Sequence, residues 1–475
     1  ICYTGDILDP SRQKYNLAYY KQLALNLQSA GSDMLAIKDM AGVLKPQAAY
    51  ELVSTLKDAL DIPVHLHTHD TTGNGVATYV AATKAGVDVV DVAANAFSGT
   101  TSQPSMGATY YALSGNDRQP DVDIDNVEKI NRYWEGVRPY YTDFSNGVTG
   151  ALTNIYQTQM PGGQYSNLQQ QSKSLGLGDS WATVQKTYTA VNDMFGDIIK
   201  VTPSSKVVGD MALFMVQNKL TPQDVYDKGD TLDFPKSVID FFAGDIGQPA
   251  GGFPEKLQKI VLKGREPLTV RPGSLAKPAD FEATATELAG KLKRTPTHLE
   301  VLSYLIYPQV FLDYEKRYTR YGDVSVLDTS SFFQGIREGE TVTIETEPGK
   351  TLVVKLNTIS APDADNVRTL SFNVNGRLQE ITIKDVTIKQ AAAATSSKTK
   401  ADAADVNQIG ATLSGSVVKV LVKDGQKVQA GESLIVTEAM KMETTIQAPK
   451  AGTVKQVSAT VGETIENGDL LVVLS

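Results

Sequence analysis

Residues 34–70 read MLAIKDMAGVLKPQAAYELVSTLKDALDIPVHLHTHD. The run Met34–Asp39 is apolar until it ends in Lys38-Asp39, which predicts a strand with a polar C-terminal end. Pro46 then opens a helical pattern, a position where proline is tolerated because the first N–H groups of a helix have no partner inside it. Val64–Asp70 is a second apolar run with a polar end, His67-Thr68-His69-Asp70. The same unit repeats on both sides. Upstream, Ile1–Gly5 reads as a strand, and Leu17, Tyr20, Ala24, Leu27 and Ala30 recur at helical spacing until Gly31. Downstream, a helix ends near Gly86 and Val87–Val92 reads as a fourth strand. Strands roughly 30 residues apart, each separated by one helix, are parallel βα units.

An open doubly wound sheet and a (β/α)8 barrel both fit this pattern, and both place an active edge at the C-terminal strand ends. No GxGxxG follows any strand, so dinucleotide binding has no support and the barrel is expected. Four strands are half a barrel, which places the other half upstream of Ile1. The opening Ile1-Cys2-Tyr3, apolar and without Met, agrees with a chain entered mid-strand.

The fold class expected is therefore α/β, a partial TIM barrel at 1–118 with a helical extension at 119–330. From Ser331 the texture changes to short strands. Thr341–Glu345 and Thr351–Leu356 flank Glu347-Pro348-Gly349-Lys350, and Leu370–Val374 and Arg377–Ile383 flank Asn375-Gly376, a strong hairpin signal. This defines a small β-rich domain at 331–389. Residues 390–407 form a small-residue linker, able to stretch to about 60 Å, so the segment beyond it is expected to move. In 408–475 an internal repeat appears with an offset of 37: Ala411 matches Ala448, Gly415 matches Gly452, Gly425 matches Gly462 and Gly431 matches Gly468. Two copies in so short a stretch predict a pseudo-symmetric β-sandwich with Glu438–Glu443 on the connecting turn.

Composition excludes several classes. With 45 basic against 54 acidic residues the net charge is −9, so nucleic acid is not the expected partner. One cysteine, Cys2, excludes a disulfide framework and fits a reducing compartment. No run approaches the roughly 20 apolar residues of a membrane helix, and no signal peptide opens the chain, so a cytoplasmic location is expected. No Walker-type glycine loop appears; Pro161–Gln164 has neither its lysine nor its spacing.

The chemistry-bearing residues fall in four places. Lys441, between Met440 and Met442, has the setting of a turn lysine that a modifying enzyme must reach. His65, His67 and His69 alternate along one strand and face one way; two of them can hold a divalent metal, or they pack and hydrogen-bond. His65, the deepest, is expected to fill a core layer. Lys38 either pairs with Asp39 or Asp70 or becomes a carbamate ligand beside His67 and His69. Thr202-Pro203-Ser204-Ser205-Lys206 reads on its own as a helix N-cap. His298 reads as a surface residue at a helix start.

Taken in order, Cys2–Asp6, Ile37–Gly42 (IKDMAG), His67–Gly75 (HTHDTTGNG), Thr101–Gly107 (TSQPSMG), Pro161–Leu168 (PGGQYSNL), Val201–Asp210 (VTPSSKVVGD) and Thr437–Thr445 (TEAMKMETT) resemble the C-terminal part of the pyruvate carboxylase family across essentially the whole chain. The resemblance implies the carboxyltransferase barrel, part of the allosteric and tetramerisation domain, and a biotin carboxyl carrier domain. It implies biotin on Lys441, attached by biotin protein ligase. It implies a divalent metal, Mn or Zn, held by carbamylated Lys38, His67, His69 and an aspartate of a first strand this chain lacks. Thr202 becomes the residue that relays a proton between pyruvate and biotin, and Ser205 and Lys206 lie near the biotin ring. The implied reaction moves a carboxyl group from carboxybiotin to pyruvate to give oxaloacetate, in the context of gluconeogenesis and anaplerosis. Biotin is loaded in an ATP-dependent step on an N-terminal domain not present here. The resemblance also implies a homotetramer, with acetyl-CoA or a cyclic dinucleotide as effector; Tyr20 and Tyr50 are the aromatics that either stack on adenine or pack between helices. The alternatives are the α-subunit of an oxaloacetate decarboxylase and a non-catalytic biotinylated fragment.

Overall fold

The structure, a computed structural model, describes residues 1–145, 147–385, 387, 399–402, 405–439 and 442–475. The chain folds as two compact units: Ile1–Arg138, Phe144–Ser274 and Ser397–Ser475 form the first, Pro139–Asp143 and Leu275–Ser396 the second.

The first unit opens with βα repeats. Helix α1 (Leu17–Ser29) precedes β1 (Leu35–Asp39), α2 (Pro46–Lys57) precedes β2 (Val64–Thr68), and α3 (Gly75–Lys84) precedes β3 (Val89–Val90). The strands pair in parallel in chain order, β1-β2-β3, with Lys38 opposite His67 and His65 opposite Val89. Ile1–Tyr3 extends the sheet on the other side of β1, where the Tyr3 N–H donates to the Lys38 carbonyl at 2.9 Å and the Lys38 N–H to the Ile1 carbonyl at 2.8 Å. Unbroken chain order across a parallel sheet is barrel progression; a doubly wound sheet reverses at a switch point. The expected first strand is thus a single bridge, Cys2 with Lys38, and the expected Val87–Val92 shortens to two residues.

Alternation does the sorting. Leu35, Ile37, Val64 and Leu66 are buried under the helices, while Ala36, Lys38, His65 and His67 share the opposite face. Helix α2 covers the sheet with Ala48, Ala49, Leu52, Val53 and Leu56, a single stripe at helical spacing. Tyr20 of α1 is fully buried, its hydroxyl donating to the Thr4 carbonyl at 3.0 Å, so it packs rather than presenting a ring; Tyr50 is exposed.

The helical part continues with α4 (Met106–Leu113), α5 (Ile124–Val137), α6 (Ile155–Thr158), α7 (Gly162–Ser174), α8 (Trp181–Met194), α9 (Ser204–Gln217), α10 (Pro222–Lys228), α11 (Lys236–Phe242) and α12 (Glu255–Leu262). Phe195, Phe241, Phe242 and Phe253 knit α8, α11 and α12 through ring contacts of 5.0–5.6 Å.

The second unit holds α13 (Phe281–Leu292), α14 (His298–Ile306), α15 (Pro308–Tyr321), α16 (Thr329–Gln334) and an antiparallel sheet of β4 (Thr341–Glu347), β5 (Lys350–Ile359), β6 (Val367–Val374) and β7 (Arg377–Lys384) in order 4-5-6-7. Asn375 and Gly376 both adopt positive φ, +48° and +84°, which is the two-residue hairpin turn their sequence demands. His298 starts α14 and stacks on Phe281 at 5.5 Å.

The last segment is a sandwich of two four-stranded sheets: β8 (Gln408–Gly410), β9 (Gly415–Val420), β10 (Lys427–Val428), β11 (Ser433–Ala439), β12 (Met442–Gln447), β13 (Gly452–Val457), β14 (Thr464–Ile465) and β15 (Leu470–Leu474). The sheet orders are 10-13-15-8 and 14-9-11-12. The offset of 37 carries β8 to β12, β9 to β13, β10 to β14 and β11 to β15. It therefore exchanges the two sheets while preserving strand order, so the sequence repeat is the pseudo-two-fold of the sandwich. Met440, Lys441 and residues 388–398, 403 and 404 lie outside the described residues.

Candidate active site

The C-terminal ends of β1 and β2 carry Lys38, His67 and, one residue beyond the strand, His69. Asp91, just past β3, bridges two of the histidines: His65 Nε2 lies 2.8 Å from Oδ1 and His67 Nδ1 lies 2.8 Å from Oδ2. Burial alone would raise the Asp91 carboxyl, but the hydrogen bonds with His65 and His67 hold it low. Ionised Asp91 can only accept, so His67 Nδ1 carries a proton, and in the neutral tautomer Nε2 is the nitrogen with the lone pair. That Nε2 is buried and has no hydrogen-bond partner. Leaving a buried polar atom unpaired costs roughly 1–3 kcal/mol; a metal ligand is such an atom.

His69 is arranged the same way. Its Nδ1 donates to the Thr101 carbonyl at 2.7 Å, which again leaves Nε2 with the lone pair, and the two rings sit 5.2 Å apart. Burial lowers its pKa to about 4, so the ring stays neutral at neutral pH, as ligation requires. Because the folded pKa lies below the ordinary 6.5, this residue contributes stability above pH 6.5 that is lost as pH falls toward 4. An NMR titration should place the His69 midpoint near 4; a midpoint at 6 or above would contradict the buried setting.

Lys38 makes no ion pair among the described residues. Asp39 is committed elsewhere, accepting from Val43 N, Leu44 N and Thr68 Oγ1 at 3.0, 2.8 and 2.8 Å, and Asp70 accepts from Gly75 N. The plain ion pair open to Lys38 from sequence is not formed. No three His, Cys, Asp or Glu side chains among the described residues gather as a metal site; the donors that converge are two imidazoles and Lys38. They fit a divalent ion, with Asp91 as the outer group that fixes one imidazole.

Four loops meet around these residues. Gly42, at φ +69°, lets the loop after β1 pass the strand end, where a Cβ would stand 2.3 Å from the His69 carbonyl oxygen. Gly162 brings the start of α7 against the same histidine: its N–H donates to the Met40 carbonyl at 2.9 Å, and a Cβ would lie 2.8 Å from His69 Nδ1. Asp70 N donates to the Ser102 carbonyl at 2.7 Å. We expect Gly162→Ala to displace the His69 ring and lower metal content about tenfold while the protein stays folded, because outer-group losses typically cost 10–100-fold in affinity; metal analysis of the purified variant checks this.

The Val201–Lys206 segment enters α9. Thr202, which precedes Pro203 across a cis peptide bond, is exposed and caps nothing. The turn is closed by Ser204, whose Oγ accepts from Val201 N at 3.1 Å and faces the carbonyls of Ile199 and Val201 at 2.6 Å. The helix-cap reading of Thr202 therefore fails: α9 is entered at Pro203 without a side-chain cap, and Ser204 ties down the turn that precedes the helix. Ser205 is buried; Lys206 pairs with buried Asp210, which also accepts from Ser237 Oγ at 2.6 Å. The approach to this turn is clamped: Lys14 Nζ donates to the carbonyls of Gly196 and Asp197, and Tyr15 OH to that of Asp197 at 2.8 Å. Lys200, buried in the same place beside Asp197, has its pKa lowered to about 8 by burial. Helix α7 joins the two halves of the site, with Gly162 on His69 and Gln164 against Gly209 of α9, where a Cβ would meet Gln164 Nε2 at 2.3 Å.

Lys38, His67 and His69 thus come together, while Ser205 and Lys206 lie on the first turn of α9 and Thr202 precedes it. Lys441 lies outside the described residues. His65 binds Asp91 rather than filling a core layer. Sequence reasoning missed Asp91 and Gly162; the signal available was an acid following an apolar pair in Val89-Val90-Asp91.

The chain thus joins a parallel βα sheet, with two imidazoles and a lysine at its strand ends, to a two-sheet sandwich. Three family models match: HMGL-like over residues 10–133, a conserved carboxylase domain over 155–355, and biotin-requiring enzyme over 405–474. Pyruvate carboxylase of Bacillus subtilis is 55% identical over 471 residues, 99% of this chain and 41% of that protein. The human mitochondrial pyruvate carboxylase is 44% identical over 474 residues, again 99% of this chain and 40% of that protein. The carboxyl transferase domain of Rhizobium etli pyruvate carboxylase superposes with a TM-score of 0.78 at 48% identity, covering 81% of this chain and 65% of that one. The complete enzyme from the same organism gives 0.77 at 45%, covering 100% and 43%. The chain is similar to the carboxyltransferase and biotin-carrier portion of these pyruvate carboxylases. It spans about two fifths of the length of the curated relatives it matches.

Proposed function

We propose that this chain carries out the transfer half of pyruvate carboxylation, moving a biotin-borne carboxyl group to pyruvate to give oxaloacetate. The observation that carries the reading is the pair of imidazoles whose Nε2 atoms are both kept free, beside Lys38, on a chain that ends in a biotin carrier. Biotin on Lys441 supplies the carboxyl group, and a divalent ion, Mn or Zn, supplies positive charge at the strand ends. His67, His69 and carbamylated Lys38 hold the ion. Carbamylation suits a lysine that no carboxylate engages, since it turns an unpaired cation into an anionic oxygen donor. Asp91 fixes the tautomer of His67, and Thr101 that of His69. Thr202 Oγ1 takes a proton from the methyl carbon of pyruvate and passes its own to the biotin ureido nitrogen. Ser205 and Lys206, on the first turn of the helix that Thr202 leads into, lie near the biotin ring. The carboxyl transferase domain of the Rhizobium etli enzyme has been solved with pyruvate and biocytin, which supports this assignment of substrate and carrier.

The wider setting belongs to the same proposal. Residues 1–118 form the barrel half and 119–330 its extension, with 331–389 allosteric, 390–407 the linker and 408–475 the carrier. Biotin protein ligase modifies Lys441, an ATP-dependent domain elsewhere in the whole protein loads the biotin, and the protein acts as a homotetramer answering to acetyl-CoA or a cyclic dinucleotide. Among the described residues no helix is long and apolar enough to cross a membrane, and a cytoplasmic location is proposed. ATP-dependent carboxylation of pyruvate by the whole protein tests the reading. Oxaloacetate decarboxylation without ATP-driven carboxylation would favour the decarboxylase α-subunit, and a biotinylated protein with neither activity would leave a carrier and assembly role. Asp91→Asn should weaken metal binding 10–100-fold without unfolding the protein; full metal occupancy in that variant would rule out the metal assignment.

A further inference from the structure

Two distant stretches of the chain meet at Asp197. Helix α8 ends in a turn where the Gly196 N–H donates to the Asp193 carbonyl at 3.0 Å and the Asp197 N–H to that of Asn192 at 2.9 Å. That pattern needs one left-handed residue, and Gly196 supplies it at φ +87°. Asp197 is left-handed too, at φ +50°, a conformation that side chains disfavour and that aspartate enters more readily than most. Such backbone persists only where its surroundings fix it.

The surroundings come chiefly from the loop that precedes α1. Lys14 Nζ donates to the Gly196 carbonyl at 2.6 Å and to the Asp197 carbonyl at 3.0 Å, and Tyr15 OH donates to the latter at 2.8 Å. Arg12 faces one oxygen of the Asp197 carboxylate at 3.7 Å, and Asn192 Nδ2 donates to the other at 2.9 Å. The loop is tied in turn to the strand ends. Cys2 bridges to Lys38, Tyr3 stacks on Tyr20 at 5.7 Å, and Tyr19 meets Tyr15 and Tyr20 edge-on at 5.3 and 5.2 Å. A packed path therefore runs from Lys38 to Asp197.

Beyond Asp197 a short extended segment leads to Thr202. Ile198 is buried, and buried Lys200 turns back on the same hub, its Nζ 3.4 Å from the Ile198 carbonyl and 3.9 Å from the Asp197 carboxylate. We propose that Asp197, with Lys14 and Tyr15 that hold its carbonyl, is a positioning group: the three fix the segment that presents Thr202 relative to the strand ends carrying Lys38, His67 and His69. The effect on rate rests on the reading of Thr202 as the proton-transfer group; the latch itself does not. A proton-transfer group acts only within hydrogen-bond reach of the atoms it serves, and a misplacement of about 1 Å can cost about 10²-fold. Loosening the latch should therefore lower kcat and kcat/KM together, with KM for pyruvate unmoved, since only a contact made in the transition state is lost.

The test uses the whole protein. Lys14→Met with Tyr15→Phe removes the donors to both carbonyls and keeps most of the side-chain bulk. Amide exchange at Asp197 and Val201, whose N–H groups are bonded to Asn192 and Ser204, should quicken about tenfold or more. The kcat for carboxyl transfer to pyruvate should fall about 10–100-fold, while KM, metal content and ATP-dependent loading of biotin stay as they were. Lys14→Arg still offers N–H donors and should keep most of the rate. In a Thr202→Ala background the double substitution should cost no further rate, because the group it misplaces is gone. Should the double variant fail to fold, Tyr15→Phe alone is read by the same measurements, with a smaller effect in the same direction. Unchanged exchange at both amides, a loss confined to KM or metal content, or a full second loss on top of Thr202→Ala would overturn the proposal. Normal transfer by Thr202→Ala alone would instead remove Thr202 from the chemistry, and the latch would then stand or fall on amide exchange.

Discussion

Lys441→Arg is expected to yield a folded protein with no attached biotin and no detectable ATP-dependent carboxylation of pyruvate. Attachment needs an amine that can be acylated; a guanidinium stays protonated and offers no nucleophile. The fold should survive because the strands on either side hold each other without it, Glu438 opposite Glu443 and Ala439 opposite Met442. Free biotin or biocytin added to the variant should still accept carboxyl groups, which separates a missing tether from a damaged transfer site. Mass spectrometry of protein from a biotin-sufficient host makes the check. An unmodified Lys441 peptide together with biotin on another lysine would sink the assignment.

Short-range order was legible in the sequence. The Asn375-Gly376 hairpin, the 37-residue offset and the alternation of β1 and β2 each depend on neighbours in sequence or on a strict period, and each is found in the structure. The pairing of His67 with His69 at one strand end was legible, and what holds their rings was not. His67 and His69 announce themselves by spacing, but the hydrogen of His67 Nδ1 is placed by Asp91, 24 residues on, and the ring of His69 is confined by Gly162, which approaches from a different loop. Nothing local distinguishes Asp91 from any acid after a strand. The segment Thr202–Lys206 shows the opposite error. Thr and Ser both suit a cap, and only the chain path after Pro203 decides that Ser204 closes the turn.

That difference between neighbours gives the last prediction its force. Ser204→Ala removes a hydroxyl that accepts from one backbone N–H and faces two carbonyls, and should cost about 1 kcal/mol of stability, as the loss of a side-chain-to-backbone hydrogen bond does. Thr202→Ala removes an exposed hydroxyl that caps nothing, and should change stability by no more than about 0.5 kcal/mol. Activity should divide the other way. A positioned proton-transfer group is worth about 10²–10⁴-fold in rate, so Thr202→Ala should lose carboxyl transfer to pyruvate by that factor while ATP-dependent loading of biotin continues. Thr202→Ser keeps a group that both accepts and donates a proton, and should retain a measurable share of the rate. The two half-reactions, assayed separately in the whole protein alongside thermal melts of all three variants, decide the matter. Near-normal carboxyl transfer by Thr202→Ala would remove Thr202 from the chemistry and leave the start of α9 as a scaffold for Ser205 and Lys206 alone.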